Sequence, residues 1–260
     1  FTYRWEISEK YGFVRKVKIA NEGEGARSVR LIDGLQDLQA PGVGSRLHLE
    51  LSSLADAYKM SELVSGGSLM VHRLASGIVD APIPLECLKS TTVWTAGFAE
   101  SERFLSRREA EVYLKSGKSG ATGDRARGER GAFFLGGEIN LPPGGSRDWL
   151  MVGEVEQTHR EVSQLMVSLE DPERLLAGVE EDLAKVRRRL RELAASVDGI
   201  QESGDRDTSL YHYHNTLCNF LRGGLPEKGG ELSREQLVHF VKQNNEEVFH
   251  AHLDWLKALP

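Results

Sequence analysis

The sequence has few of the features that would place it in a specialised class of protein. It contains two cysteines, Cys87 and Cys218, too far apart to suggest a disulfide framework, so both thiols are predicted to be reduced and buried. No apolar run approaches the roughly 20 residues of a membrane-spanning helix, and the start of the chain does not resemble a signal peptide. Positive charge is not in excess, since the formal net charge is −6, which argues against a nucleic-acid partner. We therefore expect a cytoplasmic protein that binds neither nucleic acid nor membrane.

The composition is that of an ordinary globular protein. Hydrophobic residues make up 40% of the chain and charged residues 28%, and 260 residues suffice for one large domain or two modest ones. The first residue is Phe rather than Met, and the chain starts within an alternating pattern. This start favours a piece cut from a longer protein.

The first 157 residues show the period-two alternation of half-buried strands. Strands are predicted over 1–8, 13–20, 27–34, 68–80, 88–98, 132–141 and 147–157. Short polar turns between them favour antiparallel pairing, and helical spacing interrupts them at 52–64 and 101–116. The predicted fold class is α+β, with a mainly antiparallel β-sandwich domain over 1–157 and a C-terminal helical segment over 158–260.

A long amphipathic helix predicted over 171–200 joins the two parts of the chain. Its apolar residues recur at alternating steps of three and four, with charged residues on the opposite face. Asp171 can accept hydrogen bonds from the first turn, and Pro172 is tolerated at the first helical position. Two further helices are predicted over 207–221 and 233–259, the second with a capping box at its start.

Candidate catalytic, metal and phosphate sites do not meet the requirements of those chemistries. Glu154 and Glu156 share a strand face, but nothing near them resembles the pocket of a glycosidase acid/base pair. Histidines two residues apart on a helix point in different directions, and this applies to His212 with His214 and to His250 with His252. Residues 117–119 resemble the end of a phosphate-binding loop, but Val112 stands where that motif needs glycine. We therefore predict no catalytic residue and no metal ligand.

Polar and aromatic residues at four positions suggest a carbohydrate-binding surface. Asn215, Asn219 and Arg222 are spaced four and three apart, so they share one face of a helix and could hydrogen-bond a sugar. Contact with a neighbouring domain is the competing interpretation of that face. Trp94 could supply an aromatic ring on which a sugar stacks.

Three segments of the sequence resemble the N-terminal part of cellobiose-phosphorylase-like glycoside phosphorylases and hydrolases. They are YGFVRKVKIANEGEGARSVRLIDGLQDLQAPGV, SSLADAYKMSELVSGG with LECLKSTTVWTAG downstream, and YHYHNTLCNFLRGGLP followed by LVHFVKQNNEEVF. The resemblance implies a galactose-mutarotase-like β-sandwich and a helical linker. An (α/α)6 barrel would come next, carrying an Asp or Glu as general acid. These 260 residues contain no counterpart of that barrel, so no catalytic residue is carried over.

The resemblance implies the non-catalytic portion of an enzyme that cleaves glycosidic bonds in oligosaccharides. Its partners would be an oligosaccharide and the remainder of the parent chain, and a homodimer is compatible with it. No cofactor is implied, although inorganic phosphate would be a co-substrate of the parent if that enzyme is a phosphorylase. A stand-alone carbohydrate-binding or protein-interaction module is the alternative hypothesis.

Overall fold

The chain divides into two compact units, Phe1–Val186 and Arg187–Pro260. The computed structural model describes residues 1–79, 83, 85–98, 101–117, 123–223 and 233–259. The last strand ends at Thr158, next to the predicted domain boundary, but the first unit extends to Val186 because helical residues there pack on a sheet.

Within the described ranges, the first unit contains two antiparallel sheets. The strands are β1 Thr2–Ser8, β2 Gly12–Ala20, β3 Arg27–Leu38, β4 Lys59–Val64, β5 Leu69–Leu74, β6 Lys89–Ala96, β7 Glu102–Phe104, β8 Arg125–Arg127, β9 Gly131–Leu141 and β10 Ser146–Thr158. The larger sheet has the order β1-β2-β10-β6-β5-β4-β8, and the smaller sheet has the order β3-β9-β7. Mainly antiparallel pairing was predicted from the sequence and is confirmed.

The described helices agree with the sequence pattern in part. They are α1 Ser45–Glu50, α2 Ser52–Ala57, α3 Arg107–Ser116, α4 His159–Ser168, α5 Pro172–Ser196, α6 Arg206–Leu221, α7 Arg234–Asn244, α8 Glu246–Ala251 and α9 Leu253–Ala258, with a 3-10 turn at Ser65–Gly67. The predicted helix 233–259 is thus three helices. The predicted helix 101–116 begins instead with strand β7.

The predicted helix over 52–64 is wrong in its second half. The chain leaves α2 after Ala57, and β4 pairs with β5 through six consecutive register pairs. Lys59 and Ser61 point inward with period two, so tertiary pairing overrides the helical spacing of the neighbouring apolar residues. Strand β8 was not among the strands predicted from the sequence, and its Ala126 pairs with Ser61.

The central strands of the larger sheet are buried on both faces. On β10, Trp149 and Met151 belong to a core shared with the smaller sheet, whereas Leu150 and Val152 belong to a second core beneath α4 and α5. Successive residues of a strand point to opposite faces, so a continuous apolar run on β10 is what two-sided burial requires. The first unit is therefore three layers deep, with helices, the larger sheet and the smaller sheet in that order.

The helical layer starts with two helix caps that the sequence encodes. Thr158 and Glu161 form a capping box at the start of α4. Asp171 accepts a hydrogen bond from the Arg174 amide at 3.1 Å, which confirms the predicted start of α5. Val179 and Leu183 of α5 then pack on the larger sheet.

A buried ion pair joins the two sheets. Asp33 of β3 lies 2.6 Å from the Arg15 guanidinium of β2, and it accepts a hydrogen bond of 2.7 Å from the Trp149 indole of β10. The side chains of Asp33 and Arg15 are 7% and 10% exposed, so water screens this pair little. Removing one charge would leave the other buried without its counter-ion, which is costly.

In the second unit, the last turn of α5 closes in a Schellman motif. Asp198 adopts a positive φ of 57°, and the Gly199 amide donates to the Ala194 carbonyl at 2.7 Å. The helix therefore ends at Ser196 rather than at residue 200. The predicted capping box of α7 is confirmed, with Ser233 and Gln236 as its members. Of the described helices in either unit, none has both the length and the apolar composition to cross a membrane.

We expect Asp33→Asn to lower the free energy of unfolding by about 3 kcal/mol, because the amide keeps the shape of the side chain but leaves Arg15 buried without its counter-charge. Urea unfolding followed by tryptophan fluorescence measures the change. The matched control is Asp37→Asn on the same strand, whose carboxylate is 57% exposed beside Arg130, and a change within about 0.5 kcal/mol is expected there. Equal effects of the two variants would contradict the structural role of the buried pair.

Candidate functional site

A groove lies between the larger sheet and α5, on the face opposite to the smaller sheet. Its volume is about 630 Å³, and Leu176 and Glu180 of α5 form one side. The floor is made by even-numbered side chains of β1, β2 and β10, because the register places Thr2 opposite Lys18 and Lys18 opposite Asp148. A volume of this size falls within the range of small-molecule sites.

Charged groups of both signs line the groove. Lys16 lines the groove, and its ammonium lies 2.5 Å from a Glu180 carboxylate oxygen and 3.2 Å from one of Glu6. Arg4 and Lys18 extend the cationic side of the floor, and Asp148 adds an acceptor. The groove thus offers hydrogen-bond donors and acceptors to a polar ligand. The groove brings together residues of β1 and α5 that are far apart in the sequence. The one sequence feature that indicates the groove is the alternation of Lys16 and Lys18 on β2.

Trp94 lies in the second core of the first unit rather than on the surface. Its side chain is 3% exposed and packs with Leu69, Leu150 and Val179. It touches a smaller cavity of about 340 Å³ that shares Ala96 with the groove. With so little exposed area, its ring has no free face on which a sugar could stack.

The predicted polar stripe is present in the second unit. Asn215, Asn219 and Arg222 lie along α6 and its C-terminal end, and all three are exposed. The spacing therefore identified one exposed side of the helix. Its predicted role in carbohydrate binding stays a prediction.

Buried polar residues form a cluster at one end of the core between the two sheets. The Lys59 ammonium is 1% exposed and lies 2.7 Å from Asp56, and the Ser61 hydroxyl lies 2.9 Å from Nδ1 of His72. Among the described residues, Nε2 of His72 has no hydrogen-bond partner. Gly131 stands directly against the imidazole, where a Cβ would approach Nε2 to 2.7 Å. The serine–histidine pair is enclosed, so the cluster is structural.

Burial changes the protonation of this histidine. The pKa of His72 falls from its ordinary 6.5 to about 4, first because burial disfavours the charged imidazolium and then because Lys59 repels it. Backbone hydrogen bonding at Met60 and the charge of Asp56 oppose the shift in part. The imidazole is consequently neutral at pH 7.

Other candidate groups have individual partners. Glu156 is exposed and lies 2.5 Å from Lys89, whose pKa this hydrogen bond raises. His212 lies 2.7 Å from the Asp198 carbonyl oxygen. Within the described ranges, no three His, Cys, Asp or Glu side chains are grouped so as to hold a metal ion. Lys118 and Ser119 of the phosphate-loop comparison lie outside those ranges.

The two cysteines are free thiols, and each is partly rather than fully buried. Partial burial, opposed by the charge of Arg73, raises the pKa of the Cys87 thiol. Cys218 lies 3.6 Å from His214 on the neighbouring turn of α6. The expectation of unpaired cysteines is confirmed, and that of full burial is not.

The comparisons with known proteins give no assignment. The sequence matches no protein-family model, and a search of curated proteins finds no match. The resemblance to glycoside phosphorylases therefore stays a prediction.

We expect the stability of the fold to fall between pH 7 and pH 5 through His72. Below pH 6.5 the unfolded chain binds a proton that the folded protein takes up only near pH 4, so protons favour unfolding in that window. Through His72 alone, the free energy of unfolding should be about 2 kcal/mol lower at pH 5 than at pH 7. Urea unfolding at both pH values measures the loss.

Replacing the histidine isolates its contribution. His72→Asn keeps a hydrogen-bonding group near Ser61 but does not titrate, so the fall in stability between pH 7 and pH 5 should shrink by about 2 kcal/mol. His250→Asn is the control, because that side chain is 66% exposed. An unchanged pH dependence in His72→Asn would show that the group is not held neutral by the fold.

Proposed function

We propose that this chain is the non-catalytic, β-rich portion of a carbohydrate-active enzyme that acts on glycosidic bonds of oligosaccharides. Its framework would be a galactose-mutarotase-like sandwich, and the bond-cleaving (α/α)6 barrel would belong to the remainder of the parent protein. Two antiparallel sheets with a shared core, followed in the chain by helices, support the proposal. The pair of free cysteines is compatible with a cytoplasmic location.

The groove under α5 is the observation that carries the proposal. An oligosaccharide presents many hydroxyl groups, each of which donates and accepts hydrogen bonds, and the groove offers cations and carboxylates on one surface. The floor is a sheet surface, so a chain of sugars could cross the strands beside Lys18 and Asp148. We infer that this groove contacts the oligosaccharide while the catalytic acid and, in a phosphorylase, the inorganic phosphate lie on the barrel.

The ion pairs of two carboxylates agree with a binding rather than a catalytic role. Glycoside cleavage by acid/base catalysis needs two carboxyl groups that flank the sugar bond. Glu180 in the groove is engaged by Lys16 instead, at 2.5 Å. Glu156, one of the two carboxylates considered from the sequence, is paired with Lys89 at the surface.

The alternative is a stand-alone carbohydrate-binding or protein-interaction module. The side of α6 that carries Asn215, Asn219 and Arg222 favours it, because amide and guanidinium groups in a row suit hydroxyl-rich or carbonyl-rich partners. The gene sequence downstream of Pro260 distinguishes the two functions. A reading frame that continues into several hundred helix-forming residues supports the enzyme portion, and one that stops supports the module.

We expect the purified chain to bind an oligosaccharide without cleaving it. Isothermal titration with a panel of β-linked and α-linked oligosaccharides should give a saturable signal, and the double variant Lys18→Ala, Asp148→Ala should weaken it at least about 10-fold, since each lost hydrogen bond to a charged group is worth roughly 1.5–3 kcal/mol. Both side chains are exposed, so the fold should tolerate the change.

Two matched variants locate the site. Lys115→Ala with Glu111→Ala removes charges of both signs from exposed positions on α3, outside the groove, and should leave binding unchanged. Asn219→Ala tests the α6 surface, and a loss of binding there alone would transfer the site to the second unit. Release of reducing sugar or sugar-1-phosphate by the chain itself would contradict the non-catalytic assignment.

A further inference from the structure

An exposed row of apolar side chains runs along the first strand. We call it the apolar stripe, and its members are Phe1, Tyr3, Trp5 and Ile7, with Phe13 opposite Ile7 on β2. Trp5 is 50% exposed and Ile7 64%. Large apolar side chains grouped in this way on a globular domain mark an interaction surface.

The apolar stripe continues the inner face of the larger sheet beyond its core. Val17 of β2, opposite Tyr3, is buried in the core shared with the smaller sheet. The guanidinium carbon of Arg15 lies 5.1 Å from the centroid of the Tyr3 ring. The same guanidinium forms the ion pair with Asp33 that closes that core. The smaller sheet does not cover β1 at the edge of the larger sheet, so the odd-numbered residues of β1 face solvent.

The backbone edge beside the apolar stripe is also open. Among the described strands, β1 pairs with β2 alone, through seven consecutive register pairs without a bulge. Proteins usually protect sheet edges by keeping them short or by bulges and charges. Of the other described edge strands, β7 and β8 are three residues long each and β3 is interrupted by a register shift between Gln36 and Leu38, whereas β1 is seven residues long and regular.

The sequence of β1 is complementary to itself. We propose that the edge of β1 pairs antiparallel with β1 of a second copy of this chain, centred on Trp5. In that register Trp5 lies opposite Trp5, Tyr3 opposite Ile7, and Arg4 opposite Glu6, each across the two-fold axis. Between Tyr3 and Ile7, every apolar residue meets an apolar one, and each arginine meets a carboxylate. The larger sheet then continues from one copy into the other.

A second copy suits this surface better than a sugar does. A sugar needs several hydrogen-bonding side chains beside the ring on which it stacks, and the apolar stripe supplies only the Tyr3 hydroxyl and the Trp5 indole N–H. Aromatic and β-branched side chains facing each other across paired strands stabilise a sheet. The inference does not depend on the proposed function, since it involves no ligand, although Arg4 also lines the groove.

Sedimentation velocity tests the pairing directly. Two seven-residue strands form a small interface, so we expect a reversible dimer whose population rises between about 1 and about 200 µM protein. Trp5→Thr removes the central pair and should weaken self-association at least about 10-fold. Val155→Thr is the control, because Val155 is another exposed apolar strand residue, 47% exposed on β10.

A charge exchange tests the register. Arg4→Glu would place two carboxylates opposite each other on both sides of the axis and should weaken the dimer about 10-fold. Within one chain this variant loses the 3.6 Å ion pair of Arg4 with Glu6 but gives Lys16, which lies opposite, an acidic neighbour, so only a small change in stability is expected. The double variant Arg4→Glu, Glu6→Arg restores opposite charges in the proposed register and should recover dimerisation to within about threefold. Thermal unfolding of each variant controls for the fold.

A wild-type chain that sediments as a monomer over the whole range would overturn the proposal and assign the edge to a different occupant. A dimer that is insensitive to Trp5→Thr, or weakened equally by Val155→Thr, would place the interface elsewhere. Glu6→Arg also removes the 3.2 Å ion pair of Glu6 with Lys16, so the double variant is compared at an unchanged unfolding temperature. Its failure to recover association while folded would refute the register centred on Trp5.

Discussion

Burial of the central strands of the larger sheet on both faces is the constraint on which the first unit depends. Among the described elements of that unit, α5 and the smaller sheet each bury their apolar side against the larger sheet. The central strands β10 and β6 therefore contain nearly continuous runs of buried residues, and Trp94 is buried in the core beneath the helices. A change that separates either layer exposes one whole face of these strands.

Two groups of buried charged and titratable side chains occur at the margins of the core between the sheets. The Asp33–Arg15 pair closes that core beside β1, and the cluster of Lys59, Ser61 and His72 closes it beside β4. Each charge there has a counter-ion, and the histidine stays neutral because the protonated form would be both desolvated and repelled. The apolar interior thus ends in polar contacts rather than in open surface.

Successive side chains of the first strand point to opposite faces of the sheet, so the strand contributes to two different surfaces. Its even-numbered residues, Arg4 among them, face the groove under α5, and its odd-numbered residues form the apolar stripe. Pairing of β1 with a second copy would not involve Lys18 and Asp148 of the groove floor, whereas Arg4 would belong to both surfaces. The variants Trp5→Thr and Lys18→Ala with Asp148→Ala therefore address self-association and ligand binding separately.

The sequence by itself determined the strands β1, β2, β9 and β10, their antiparallel pairing, and the cap at Asp171, since period-two alternation, short turns and capping chemistry act locally. It also determined that Asn215, Asn219 and Arg222 share one side of α6. Only the tertiary structure decided that Lys59–Val64 is a strand, that Trp94 is buried, and that Lys18 and Asp148 meet in a groove. Strand pairing and layer packing join residues far apart in the chain, and their energies exceed the local preferences that a sequence pattern reports.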